Sequence, residues 1–220
     1  IMDMAMILHA EHGGGNNSTF TLRCVSSTGA NTYMAFCAGI ASLSGYLHGG
    51  ANEEVMTMMD DIKANVKDWA DDDEIEAYLN RILDGHGGNH TGKIFGIGHA
   101  VYTISDPRAE IFREKVEEYA GITGHMEEYG LYDRIAAIAP KLIKQRKNVI
   151  AAPNVDFYSG FLYSMMGIPR ELFTPIFAMS RFVGWAAHRI EQVVQNKIIR
   201  PAFETSLKTD IPYLPLDQRK

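Results

Sequence analysis

Cysteine is nearly absent from this sequence, and so is any pattern that would give cysteine chemistry. Cys24 and Cys37 are the only two among 220 residues. They make no CxxC spacing, and each sits in an apolar helical pattern, so a disulfide framework and a thiolate zinc site are excluded. Two buried free thiols in a reducing compartment are expected. Long hydrophobic runs are missing as well. No stretch approaches the roughly 18 apolar residues that span a bilayer, and no basic segment leads into an apolar run with a cleavage site. The expectation is a soluble, cytoplasmic protein with no membrane partner. Positive charge is not in excess: 21 Lys and Arg stand against 27 Asp and Glu, a net charge of −6. The basic residues are scattered, which leaves no electrostatic footprint for nucleic acid. Sustained period-two alternation, internal repeats and low-complexity tracts are also lacking.

What is present is the mix of a globular protein, 46% hydrophobic and 22% charged, in a chain long enough for one large domain or two small ones. The dominant period is helical. Ile1, Met4, Ala5 and Leu8 share a face, with no capping residue before them. Asn31 to Leu47 is apolar at nearly every position and reads as a core helix, and Glu53 to Val66 follows a Gly-Gly-Ala turn. Asp71 with Glu74 three residues on caps a helix through Leu83. Asp106-Pro107 starts another over Arg108 to Ala120, with Ile111, Phe112, Val116 and Tyr119 inward. His125 to Lys147 is helical, with a kink or restart expected at Pro140. Pro169 opens the last long helix, through Gln195, with Val183, Ala187, Ile190 and Val194 on one face. Beyond Pro201 an extended arm is expected. The one strand candidate is Lys93 to Tyr102, so the fold class is mainly α.

Four Gly-rich turns interrupt these helices and carry polar residues where side chains face a cleft. They are His9-Ala10-Glu11-His12 with the following Gly-Gly-Gly-Asn-Asn-Ser run, Leu47-His48-Gly49-Gly50-Ala51-Asn52-Glu53, Gly96-Ile97-Gly98-His99-Ala100-Val101-Tyr102 with Asp106-Pro107-Arg108 behind it, and Asn154-Val155-Asp156-Phe157-Tyr158-Ser159-Gly160. Each has a plain structural explanation by itself; Asp156, for one, would serve as a helix cap. His9 and His12 stand at i, i+3 with no HExxH, so no metal is expected. Taken together, two histidines on glycine-flanked turns and one acid among apolar residues are suited to removing a proton next to a carbonyl. An apolar wall around Asp156 would raise its pKa. Arg108, Arg181 and Arg200 would pair with substrate carboxylates.

In order and spacing, from about Met4 to Arg200, these motifs resemble citrate synthase. The resemblance implies a mainly α fold and a condensation of acetyl-CoA with oxaloacetate followed by hydrolysis of citryl-CoA, with acetyl-CoA as cosubstrate and no other cofactor. By motif position Asp156 is the base that takes the methyl proton, His48 the donor to the enol, and His99 the group that polarises the oxaloacetate carbonyl. His12, Arg108 and Arg181 would hold oxaloacetate, and Arg200 would be lent across a homodimer. His9 would support structure, and Asn16 and Ser18 would orient His48. Phe95, Gly96, Ile97, Gly98, Ala100 and Val101 would recognise CoA. Residues 1–50 and 161–220 would belong to the family's large domain and 51–160 to a complete small domain, mobile and CoA-binding.

The sequence departs from the family pattern at three places. Tyr46 stands where many members have proline, Thr103 where some have a basic residue towards the CoA phosphates, and the front of the family's large domain is not represented. The start at Ile1 accordingly reads as a cut through a helix. Two rival expectations remain: a 2-methylcitrate synthase using propionyl-CoA, separated by a single methylene, and a non-catalytic dimerising helical module.

Overall fold

The computed structural model describes residues 1–98, 104–202, 204, 206 and 212–219. Nine α-helices carry the described chain: α1 (Met2–His9), α2 (Asn17–Ser27), α3 (Thr32–Leu43), α4 (Ala51–Asn65), α5 (Asp72–Leu83), α6 (Pro107–Thr123), α7 (Met126–Lys147), α8 (Val155–Met165) and α9 (Phe173–Gln195). Among the described residues there is no strand. Lys93 to Gly98 contributes one isolated antiparallel bridge, between Ile97 and Pro153, because the next pairing partners are the Asn154 cap and helix α8 rather than an extended chain.

Local chemistry sets the helix ends. Asp71 Oδ1 accepts from the Asp73 and Glu74 amides at the start of α5, and Asp106 Oδ1 accepts from the Arg108 amide with Pro107 in the first turn of α6. Both follow the expected capping pattern. Glu74 does not close a reciprocal capping box; its two oxygens accept from the amides of Lys67 and Asp68 and tie down the preceding loop.

Four expectations are corrected. Helix α3 stops at Leu43, because Gly45 closes a turn and Gly49 N donates to the Leu43 carbonyl; Tyr46 and Leu47 lie outside it and are exposed. Helix α7 continues through Pro140 with no restart. Ile111 is 42% exposed, whereas Phe112 and Val116 are buried. The thiols are free, but neither is buried: Cys24 is half-buried and Cys37 exposed on the outer side of α3. On α9, the one face that Val183, Ile190 and Val194 share points outward.

Two apolar cores result. The larger is built by α4 to α8 with the start of α9, where Tyr132 stacks on Phe161 at 4.6 Å and Phe157, Tyr163 and Phe173 are fully buried. Each such side chain contributes about 1.5–3 kcal/mol by leaving water. The smaller joins α2, α3 and α9 through Leu22, Ala35, Leu43 and Trp185. Helix α9 is the shared element, and the turns carrying His12 and His48 lie against it.

Candidate active site

Arg181 is the most unusual side chain in the molecule. It is fully buried in the middle of α9. Its Nε donates to the His9 carbonyl at 2.6 Å and its guanidinium covers the Phe177 ring at 4.6 Å. Both terminal nitrogens lack a hydrogen-bond partner among the described residues. Burial, with Arg108 nearby, pushes its pKa down to about 10, so it still carries its charge at neutral pH. A buried cation with two unused donor groups is costly unless an anion completes it.

The other candidates gather around it. Arg108, in the first turn of α6 and nearly buried, is gripped by Asp106: Nε donates to Oδ1 at 3.0 Å and Nη2 to Oδ2 at 2.8 Å. Asp106 Oδ2 also accepts from the Val155 amide at 3.2 Å, which joins the start of α6 to the start of α8. The next residue is Asp156. It does not cap the helix, because Asn154 Oδ1 already accepts from the Asp156 amide at 3.0 Å. Burial pushes the Asp156 carboxyl up to about 6; Arg108 opposes that shift, Asp106 adds to it, and Arg181 opposes it. An acid poised near neutrality and not committed to capping is suited to proton transfer.

His48 sits half-buried in the turn between α3 and α4. The turn is fixed by His48 N donating to Gly45 O and by Thr174 Oγ1 on α9 donating to Gly49 O. The Ser18 amide points at His48 Nε2 from 3.3 Å, and Ser18 Oγ lies 3.0 Å from the same atom and 2.9 Å from Asn16 Oδ1. A backbone N–H can only donate, so this network assigns Nε2 as acceptor and leaves the proton on Nδ1. Burial, then the Arg181 charge, holds the ring below its ordinary pKa and keeps it neutral. His9, fully buried, contacts the Tyr163 hydroxyl at 2.9 Å through Nε2 and packs on Phe112 and Phe177. Burial drives its pKa down to about 3. It is a neutral structural group, as expected from the sequence.

His12 lies half-buried in the turn after α1, its amide donating to Glu11 Oε1. Phe95 to Gly98 forms the wall of a groove of about 410 Å³, which Tyr46, Leu47, Lys93, Lys147 and Ile150 also line. The wall is tied to the start of α8: Gly98 N donates to Ala152 O, Asn154 N to Gly96 O, and Asn154 Nδ2 to Gly98 O. Arg200 is exposed beyond the end of α9. His99, Ala100 and Val101 lie outside the described residues. Among the described residues no group of three His, Cys, Asp or Glu side chains is placed to hold a metal ion, and no helix is long and apolar enough to cross a membrane.

Three participants escaped the sequence reading. Asp106 was assigned only a cap, although an Asp-Pro-Arg run lets one carboxylate cap the helix and clamp the arginine two residues on. Tyr163 and the pairing of Glu11 with His188 join residues far apart in the chain and leave no local signal.

Comparison with known proteins gives the family. A family model described as citrate synthase, C-terminal domain, matches residues 1–202. The citrate synthase of Deinococcus radiodurans is 40% identical over the whole chain, which covers 54% of that protein, and that of Haloferax volcanii is 41% identical over 99% of the chain and 52% of its own length. A 2-methylcitrate synthase of Shewanella oneidensis is 40% identical over 92% of the chain and 49% of its own length. Among solved structures, Thermoplasma acidophilum citrate synthase in ternary complex with carboxymethyl coenzyme A and oxaloacetate superposes with a TM-score of 0.76 at 31% identity, over 99% of this chain and 54% of that one. The chain spans about half the length of the curated relatives it matches. With its mainly α fold, it belongs to the citrate synthase family.

Proposed function

We propose that the chain carries the condensing site for oxaloacetate and acetyl-CoA and turns them over to citrate and free CoA. The observation that supports this best is Arg181. Its two unpartnered guanidinium nitrogens are a fork for a carboxylate, and its charge acts on both His48 and Asp156. Anion, acid and imidazole therefore share one electrostatic neighbourhood.

In this reading Arg181, Arg108 and His12 hold oxaloacetate. The Asp156 carboxylate removes a methyl proton from acetyl-CoA while His48 Nδ1–H donates to the thioester oxygen, giving an enol. The enol carbon attacks the keto carbon of oxaloacetate; His99, by its motif position, donates to the forming alkoxide. Water then cleaves the thioester and CoA leaves. Neutral His48 is suited to its part, because its Nδ1 proton passes to the thioester oxygen as the enol forms and returns to Nδ1 as the enol carbon attacks and the thioester carbonyl is restored. The nucleotide of CoA lies in the groove walled by Phe95 to Gly98, and Ala100 and Val101, by motif position, recognise it as well. Lys93 and Lys147, which line the same groove, offset the loss of the basic residue at Thr103.

Residues 51–160 act as the small domain that closes over the substrates and residues 1–50 and 161–220 as the large-domain part; the smaller core lies wholly within the latter, while the larger one joins the former to Ala5, Phe161 to Tyr163 and Phe173. A homodimer covers the outer face of α3 and α9, where Tyr33, Val183, Ile190 and Val194 are each at least 65% exposed, and it brings Arg200 to the partner's site. A second reading, propionyl-CoA in place of acetyl-CoA, is favoured by the likeness to a 2-methylcitrate synthase. Comparing oxaloacetate-dependent CoA release from acetyl-CoA and from propionyl-CoA tests both. Faster release from acetyl-CoA supports the first, and release only from propionyl-CoA supports the second.

A further inference from the structure

The turn that carries His12 is fastened to α9 at three successive places. Arg181 donates to the His9 carbonyl. One turn on, Gly184 presses against the Ala10 carbonyl so closely that any Cβ there would collide with backbone. One turn further, His188 Nε2 stands 2.6 Å from Glu11 Oε2, while its Nδ1 is 3.7 Å from Glu191 Oε2. Residues 181, 184 and 188 share one face of the helix.

Glu11 is the pivot of the third contact. Its other oxygen, Oε1, accepts from the amides of His12 and Gly13, each at 2.5 Å. One carboxylate thus fixes the backbone at His12 and, through its second oxygen, the distance of that backbone from α9. Burial tends to raise the Glu11 pKa, but the Gly13 and His12 amides and His188 outweigh it and hold the group below the ordinary carboxylate range. His188 is only 15% exposed at its side chain, whereas Glu11 is 46% exposed. The imidazole is therefore anchored in the α9 packing, and the more solvated carboxylate is the part held.

From this geometry we infer that Glu11 and His188 are positioning residues: they set His12 in register with Arg181, so that the two grip the same dicarboxylate. The inference rests on the oxaloacetate reading above and deepens it, since it assigns part of oxaloacetate affinity to two side chains that do not touch the substrate. A misplacement of about 1 Å in such a site costs up to about 100-fold in productive binding, and here one of several ligands is affected.

The experiment is calorimetric titration of oxaloacetate, and separately of CoA, into the full chain and its E11Q, H188Q and double variants, with urea midpoints and the histidine ring signals followed by NMR. Each single variant is expected to weaken oxaloacetate binding about 10-fold, leave CoA binding within about twofold, and broaden or shift the His12 ring signals. The double variant is expected to be no worse than the poorer single one, as for a pair acting as a unit. Unchanged oxaloacetate affinity in H188Q, with a wild-type chain that binds, overturns the inference and leaves the oxaloacetate reading standing. A parallel loss of CoA and oxaloacetate binding with a lowered urea midpoint also overturns it, since that is a general structural effect. A wild-type chain that does not bind oxaloacetate overturns the parent reading. The His12 signals then decide the positioning itself, and unchanged signals in H188Q overturn it.

Discussion

Arg181 Nε donates to the main-chain carbonyl of His9 at 2.6 Å, across 172 residues of sequence. That bond uses one guanidinium nitrogen and leaves the other two buried without a hydrogen-bond partner among the described residues. It also ties α9 to the end of α1, so the arginine is aimed before any ligand arrives.

A buried charge without a protein partner predicts that function and stability conflict at this position. Arg181→Met should abolish detectable oxaloacetate binding while leaving stability unchanged or raising it by about 1–4 kcal/mol, as when a buried ionic group gives way to an apolar one. Thermal unfolding with and without oxaloacetate checks it. Wild type should gain about 2.7 kcal/mol at a ligand concentration 100 times Kd, and the variant should gain nothing.

Asp156 predicts a pH dependence of definite sign. Its folded pKa, about 6, lies above its ordinary unfolded value of 3.8, so its stabilising contribution is fully present below about pH 3.8 and is lost as pH rises through about 6. At pH 7 the ionised carboxylate costs on the order of 3 kcal/mol. Asp156→Asn should therefore be more stable than wild type at pH 7 and lose that advantage towards pH 4, in urea unfolding at each pH. The same variant should lower turnover by about two to four orders of magnitude.

His9 acts in the opposite direction. Its folded pKa of about 3 lies below the unfolded 6.5, so the stability from the neutral ring is present above about pH 6.5 and lost as pH falls towards 3. His9→Phe keeps an aromatic ring between Phe112 and Phe177 and should flatten the acid limb of the stability profile, at the loss of the Tyr163 contact.

Gly96 has φ +76, and a Cβ there would stand 2.8 Å from the Phe157 ring. Gly96→Ala should destabilise the fold by about 1–3 kcal/mol and weaken CoA binding more than oxaloacetate binding, because the displaced segment walls the groove. Paired titrations with CoA and oxaloacetate measure the difference.

The helices and the four polar turns were legible in the sequence because their signals are local. Asp71, Asp106 and Pro107 are read within one turn, and the helical period is read within two. What was not legible depends on contacts made elsewhere. The end of α3 at Leu43 depends on a bond from Gly49, and the continuity of α7 through Pro140 on packing over its whole length. The outward faces of Cys37 and Val183 follow from which side of each helix the two cores claim. At the site the residue types were readable. The unpartnered nitrogens of Arg181, the Asp106 clamp and the acceptor at His48 Nε2 were not, since each is a property of three or more segments brought together.

The central claim is that these residues form a working condensing site. Release of free CoA from acetyl-CoA, followed as thiol appearing on addition of oxaloacetate, tests it most directly, with Asp156→Ala as the control. The account predicts release that requires both substrates and falls by two to four orders of magnitude in the variant. A folded, dimeric chain that releases no CoA above background from acetyl-CoA or propionyl-CoA would contradict it and leave a non-catalytic helical module.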